Sequence, residues 1–361
     1  MTPPVVTLFL RSSMLVVFLF CSFAEANAQT NQRSDPFDQE VPLELHGVTQ
    51  ALQQNNFDQA LKLLADLRKD ALKTRNRQLQ AEIITSMKEV NRLKREFIKV
   101  KKDYETFLKS KDPEAARVIS NFYCLEKCDW NSGLQLLTKS DSPELRKTAA
   151  ADLKRPSSPE NQARLADAWW QVAEAEKGKV RKAYLLRGRY WYLLARPSLP
   201  AVERVDRDKK LALIPLEADK IVIWNQHNAQ YLDRGTEACV VTLLLQGKPV
   251  WRKATRIPWD QDAPACQTLN PPAVRFDQIR VDVTQYRGNG GGLGEIEVFD
   301  NKINVASNCS VVASEYWEDN PKHHPTNLTN GDNSGATGYW LLNNRKNGWA
   351  LVDLVNYLPF Q

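Results

Sequence analysis

Few side chains in this sequence are placed to do covalent chemistry. The four histidines stand at 46, 227, 323 and 324, two of them adjacent, and none is spaced to pair a general base with a nucleophile. There is no serine elbow between glycines, no His-Glu-x-x-His pair for zinc and no glycine loop ending in Lys-Ser or Lys-Thr. Gly288-Asn289-Gly290-Gly291-Gly292 is glycine-rich but lies between strand-like runs with no helix after it, so it reads as a loop rather than a phosphate cradle. Glu295 and Glu297 alternate along one strand-like run and share a face, which suits an edge or a cation better than acid–base work. Cys124 and Cys128 lie one helical turn apart with no second ligand pair nearby. They read as two small buried side chains on one helix face rather than half of a metal site. The expectation is a protein without a catalytic centre, not an enzyme.

The elements that carry these residues follow an export signal. Arg11 is the only charge ahead of the apolar run 14–24, which is too short to span a bilayer but suits a signal-peptide core. Ala26-Asn27-Ala28 then supplies the small-x-small pattern for cleavage before Gln29, so residues 1–28 read as a signal peptide and 29–38 as a polar tether. The mature protein is expected outside the cytoplasm, periplasmic or extracellular, with no membrane span after cleavage. Loss of Cys21 leaves Cys124, Cys128, Cys239, Cys266 and Cys309, an odd number, so at least one thiol stays free or pairs between chains. A chain of 361 residues suggests two domains, and 25% charged with 9% aromatic residues excludes wholesale disorder. The net charge of +6 is too mild to argue for nucleic acid. It is also unevenly spread: residues 1–212 carry 36 basic against 27 acidic side chains, and residues 213–361 carry 13 against 16.

From 39 to 213 the pattern is helical. Leu79, Ile83, Met87, Val90, Leu93, Phe97, Val100, Tyr104 and Leu108 recur at three- and four-residue steps, predicting one long helix over 76–110. Its basic residues Lys94, Arg95, Lys99, Lys101 and Lys102 read as a solvated face. Ser142-Pro143-Glu144 and Ser158-Pro159-Glu160 each supply an N-cap, a proline at the first helical position and an acid in the first turn. Helices are also expected over 164–176 and 180–196, their Trp and Tyr stripes reading as core. Asn56-Phe57-Asp58-Gln59-Ala60-Leu61-Lys62-Leu63-Leu64 aligns with Asp129-Trp130-Asn131-Ser132-Gly133-Leu134-Gln135-Leu136-Leu137. Both carry a polar cap, an aromatic, a small residue three on, and leucines. The pattern resembles the second helix of tetratricopeptide-type repeats, with a spacing of about 73 residues that marks a degenerate array.

Near Leu213 the period changes to short strand-like runs separated by Gly, Pro, Asn and Asp, among them Ile221-Val222-Ile223-Trp224, 240–245, 279–283 and Glu295-Ile296-Glu297-Val298-Phe299. An all-β sandwich is expected over 214–361 behind a helical domain at 39–213, an α+β multidomain chain. Gly292-Leu293-Gly294-Glu295-Ile296-Glu297-Val298-Phe299 resembles the closing strand of discoidin-type (coagulation factor 5/8 C-type) galactose-binding-like domains. Asn304-Val305-Ala306, Val311-Val312-Ala313-Ser314, 325–331, Tyr339-Trp340 and 349–354 are similar to that family's opening half, and 219–225 to the strand that follows it. The order is inverted, so the resemblance implies either one circularly permuted jelly roll or fragments of two domains. One permuted unit is favoured because partial sheets with unpaired edges are poorly stable. It should place 351–354 in the same sandwich as 221–224, with a short tail after Asn356. The pairing of such a module with helical repeats is also similar to exported multidomain proteins of planctomycete-type bacteria.

The resemblance implies a module that binds glycans or other surface ligands through loops at one end of the sandwich. The candidate loop is 316–324, with Trp340 and Asn343-Asn344-Arg345 further on. Trp317 flanked by His323, His324, Asn343 and Arg345 suits a sugar, because an indole covers C–H faces while polar groups meet hydroxyls. Trp340 falls in the family's core-packing motif. The Arg-Gly-Asp signature of the fucose-binding members is absent. The family's structural calcium would draw on Glu295, Asn330 and Asp332, with Asn330 standing where an Asp is expected. The expected function is an exported, non-catalytic adaptor with a glycan or cell-surface polysaccharide on the sandwich and a protein partner on the helices. The alternatives are a glycan-processing enzyme with its site in the helical half, or a structural envelope scaffold.

Overall fold

Polar side chains placed just ahead of apolar runs start the helices. Asn56, Asp112, Asp129, Ser142 and Ser158 each accept a hydrogen bond from a backbone N–H three residues on, at 2.8 to 3.3 Å. In the computed structural model, residues 46–355 are described except 74–76, 229, 262, 301 and 336; the segments expected to be a signal peptide, a tether and a tail after Asn356 lie outside them. The described helices are α1 His46–Gln53, α2 Phe57–Lys73, α3 Arg77–Ser110, α4 Pro113–Asn121, α5 Trp130–Leu137, α6 Pro143–Leu153, α7 Pro159–Glu174, α8 Gly178–Ala195 and α9 Ala201–Ala212. The long helix and both Ser-Pro-Glu starts fall where the spacing put them. Lys94 pairs with Asp58 at 2.6 Å and Lys99 with Glu96 at 2.7 Å on the exposed flank of α3, as a solvated face requires.

One expectation in the helical region is corrected. Cys124 sits in a π turn, Phe122–Glu126, that prolongs α4, while Cys128 lies beyond it with a positive φ of 56°. Both are buried, but they share no helix face. None of the five described cysteines forms a disulfide. The wide turn receives α5 closely: a Cβ on Gly133 would stand 2.2 Å from Cys124 Sγ, so the small residue noted in the sequence is a packing requirement. Phe57, Ala60 and Leu64 in α2 and Trp130, Gly133 and Leu137 in α5 are buried at matching positions of the two aligned segments; Leu134 is buried in the second only.

A carboxylate holds α6, α7 and α8 together. Asp152, at the end of α6, is 1% exposed and accepts from Trp169 Nε1 at 2.6 Å, Trp191 Nε1 at 2.8 Å, Arg187 Nε at 2.9 Å and Arg187 Nη2 at 2.6 Å. The Arg187 guanidinium lies 5.0 Å from the Trp130 ring centre and 5.1 Å from that of Tyr190. A buried ion pair needs hydrogen bonds and polarisable neighbours to offset its desolvation, and here four hydrogen bonds to Asp152 and the rings of Trp130, Tyr190 and Trp191 around Arg187 supply them. The Trp and Tyr stripe therefore belongs to the core, as expected, and its indole N–H groups are part of the reason.

The β region contains β1 Leu216–Glu217, β2 Lys220–Asn225, β3 Arg234–Leu245, β4 Lys248–Arg256, β5 Cys266–Leu269, β6 Arg275–Phe276, β7 Gln278–Gly288, β8 Gly292–Asp300, β9 Ile303–Asn304, β10 Ser310–Ala313, β11 Trp340–Leu341 and β12 Trp349–Asp353. All pairings are antiparallel. One sheet runs β10–β12–β7–β3–β4 and the other β11–β8–β2–β5, with β9 beside β8. Val241, Leu243, Val281 and Val352 of the first and Ile221, Ile223, Ile296 and Val298 of the second enter one apolar cluster. The late strand β12 lies between β10 and β7, so the last part of the chain completes a sheet begun by the earlier part. Val352 and the pair Ile221 and Ile223 thus share a core from opposite sheets, while Val222 and Trp224 face the other side of β2.

The period changes at Leu213, but the apolar core divides elsewhere. One cluster gathers residues from Val48 to Tyr123, the largest extends from Cys124 through α8 to Leu354, and Val222, Trp224 and Phe299 form a small third. Arg189 of α8 donates to Leu354 O at 2.7 Å, and Lys182 pairs with Asp300 at 2.7 Å. Lys302 reaches Glu89 Oε1 at 2.8 Å and Glu126 O at 2.6 Å. Replacing Asp152 by Ala leaves Arg187 buried without its counter-charge. It should lower unfolding stability by about 3–5 kcal/mol, measured by urea denaturation, whereas removing Asp206 from its exposed pair with Lys209 should leave the midpoint unchanged.

Candidate functional site

Antiparallel connectivity sends five connections to one end of the two sheets: 226–233, 257–265, 289–291, 314–339 and 342–348. The opposite end, with Lys302, Asp300 and Leu354, faces the helices. Chemistry-bearing side chains gather at the first end. Trp317 meets His323 edge-to-face with ring centres 5.2 Å apart, and His323 lies 5.1 Å from the Tyr339 ring. Tyr339 Oη accepts from Asn228 Nδ2 at 2.8 Å. Arg234, the first residue of β3, places its guanidinium 5.4 Å from the Trp317 ring centre and donates to Leu342 O at 3.1 Å and to Asn344 Oδ1.

His323 is the most informative member. Its Nδ1 is buried with no hydrogen-bond partner. Burial, helped by the nearby Arg234 and Lys322 charges, holds its pKa below the usual 6.5, so the ring is neutral at pH 7. The neutral imidazole is fixed between two aromatic rings with its Nδ1 shielded from solvent and without a partner.

The other expected residues fare differently. Asn343 joins the cluster: its Oδ1 accepts from Glu318 N at 3.3 Å and its N donates to Glu315 Oε1 at 3.1 Å, which fixes the loop under Trp317. Arg345 is exposed at a turn with φ 58°, its backbone N bonded to Asn289 O at 2.9 Å. His324 turns the other way, packing on Tyr316 with ring centres 4.9 Å apart, its Nδ1 2.7 Å from Thr326 Oγ1, and it caps the short turn Pro325–Thr329. Trp340 is fully buried with Nε1 donating to Glu315 O at 2.9 Å, in the core as expected.

Arg234, Asn228 and Tyr339 escaped sequence reading. Tyr339 had a usable signal, because in a strand its neighbour Trp340 points to the core and Tyr339 must point away from it. Arg234 and Asn228 had none, since they approach Trp317 and Tyr339 from connections about 80 to 110 residues earlier.

The three residues expected to hold calcium do converge. Gly331 N donates to Glu295 Oε1 at 3.2 Å, and Asn330 Oδ1 accepts from Asp332 N at 2.7 Å. The Asp332 carboxylate is engaged by Ser334 and Thr337, whose N–H and O–H groups occupy both oxygens at 2.5 to 2.9 Å. Glu295 Oε2 is buried without a partner and is the one carboxylate oxygen left over. Among the described residues no group of three or more His, Cys, Asp or Glu is placed to hold a metal.

Burial, with Glu297 and Asp332 adding like charge, pushes the Glu295 carboxyl well above its ordinary 4.5. Burial raises Glu297 as well, although Trp224 Nε1 donates to it at 2.8 Å. A carboxyl whose folded pKa is raised binds its proton more tightly folded than unfolded. Its contribution is therefore full below about 4.5 and lost as pH rises toward the folded pKa. Glu295→Gln should flatten the fall of melting temperature between pH 5 and 8 while leaving the value at pH 4 close to that of the parent, read by thermal scans across that range.

Comparison with family models, curated proteins and solved structures finds no match to this chain.

Proposed function

We propose that this protein is an exported, non-catalytic binding protein whose loop end at Trp317, His323 and Tyr339 takes a sugar ring of a glycan or cell-surface polysaccharide. The observation that carries the reading is the unmet Nδ1 of His323 held between two aromatic rings. Aromatic faces offer cover for sugar C–H groups, and the imidazole, Asn343 and Arg234 surround them with polar atoms. The two facing sheets agree with the jelly roll that the resemblance implies. On that reading β10, β11 and β12 are the opening strands of a discoidin-type domain, brought to the end of the chain by circular permutation; their pairing with β7 and β8 supports this.

The helical region is read as a tetratricopeptide-like scaffold for a protein partner. The rival reading, a glycan-processing enzyme in the helices, needs an acid free to act. Asp152, buried among α6, α7 and α8, has its oxygens taken by Trp169, Trp191 and Arg187. Calcium at Glu295, with Asn330 and Asp332, stays a proposal in which the cation displaces the Glu295 proton and Asp332 turns from its loop. A calcium-induced rise in melting temperature that Glu295→Gln abolishes would support it.

The test is a glycan array on the mature protein with a hydrolysis screen on the sugars bound. Trp317→Ala and His323→Ala should each weaken the best glycan about tenfold or more, the loss of a stacked ring or a buried hydrogen bond. Turnover of a bound sugar, or unaltered binding by Trp317→Ala, would overturn the assignment.

A further inference from the structure

Val202 at 80% and Leu213 at 81% are the most exposed large apolar side chains among the described residues, and they stand at the two ends of one helix, α9. Leu213 keeps helical dihedrals just past Ala212, and Val205 between them is 52% exposed. An α-helix turns by about 100° per residue, so Val202, Asp206, Lys209 and Leu213 form one stripe with Val205 on its flank. Leu211 falls on the opposite side and is buried. That side anchors the helix: Arg207 donates to Asp167 at 2.7 and 3.0 Å, and Asp208 accepts from Arg196 Nε at 2.7 Å and Tyr192 Oη at 2.5 Å. The apolar stripe is therefore held outward by a well-fixed helix.

Its polar members are Asp206 and Lys209, which pair with each other at 3.1 Å and have side chains 87% and 71% exposed. The order along the stripe is apolar, acidic, basic, apolar. Val202 and Leu213 lie equally far on either side of the midpoint between Arg207 and Asp208, and so do Asp206 and Lys209. A second α9, running antiparallel about a two-fold axis at that midpoint, sets Val202 against Leu213 at both ends. It also sets Asp206 against Lys209 twice in the middle. Parallel pairing would set Asp206 against Asp206 and Lys209 against Lys209, which like charge opposes. A wholly acidic or wholly basic partner would satisfy only one of the two charges.

We propose that the chain forms a homodimer through α9, the two copies antiparallel, with Val202 on Leu213 and Asp206 on Lys209 across the two-fold axis. One short helix from each copy makes an interface below the standard size, so association should be weak, with Kd in the range of about 10–100 μM.

Sedimentation velocity of the mature protein over about 1 to 500 μM should show a dimer whose fraction rises with concentration. Val202→Glu and Leu213→Glu should each raise Kd about tenfold or more. Their urea midpoints at about 1 μM, where the monomer prevails, should match the parent's. Asp206→Lys and Lys209→Asp should each raise Kd about two- to fivefold, the size of an exposed ion pair. An equimolar mixture of those two variants should associate as the parent does, and so should the chain carrying both substitutions, because each restores opposite charges across the axis. A parent protein that stays monomeric throughout, which would leave the stripe to a different protein, overturns the proposal. So does a dimer unaffected by Leu213→Glu, or a double substitution that associates no better than either single one.

Discussion

A carboxylate with no water must be given hydrogen-bond donors by its own chain, and the arrangement around Asp152 follows from that need. Its partners come from α7 and α8, so the three helices can approach only in the one way that presents two indole N–H groups and an arginine fork to α6. The same helix then serves the other half of the chain. Arg187 and Arg189 are two residues apart, about 200° around an α-helix, so they leave opposite faces. Arg187 turns into the helices and Arg189 to Leu354 O at the base of the sheets. This is why α8 is buried nearly all round and shows no single apolar stripe.

Docking at one end of the sheets frees the other. Asp300 and Lys302, in the turn between β8 and β9, are held by Lys182, Glu89 and Glu126, and the strand ends they leave behind point away from the helices. Antiparallel pairing places five connections there. None needs to bury much of its own backbone, and so they can carry aromatic and basic side chains in half-exposed positions.

Two buried acids mark where the sheet interior is under electrostatic load. Glu295 and Glu297 follow one another on the same face of β8, a strand buried along its whole length. Glu297 has the Trp224 indole as a donor, whereas Glu295 has backbone N–H groups on one oxygen and nothing on the other. Asp332 is close, and its oxygens serve the loop from 332 to 337.

Much of the architecture was legible in order. The helix starts at Asn56, Asp129, Ser142 and Ser158, the 34-residue helix, the strand at 292–300 and the burial of Trp340 are consequences of local patterns: a side-chain acceptor ahead of an apolar run, a three-and-four period, an alternation. Trp317, His323 and Asn343 were legible as chemistry because they crowd one stretch of chain. What tertiary structure alone decided depends on residues far apart in sequence. Arg234 reaches Trp317, Asn228 reaches Tyr339, Arg187 reaches Asp152, and the core divides at Tyr123 rather than at the change of period near Leu213. Local patterns report the conformation of a segment and which face it hides. Which segment comes to cover that face is set by the packing of the whole chain, and that packing turned His324 into a loop cap and His323, its neighbour, toward the site.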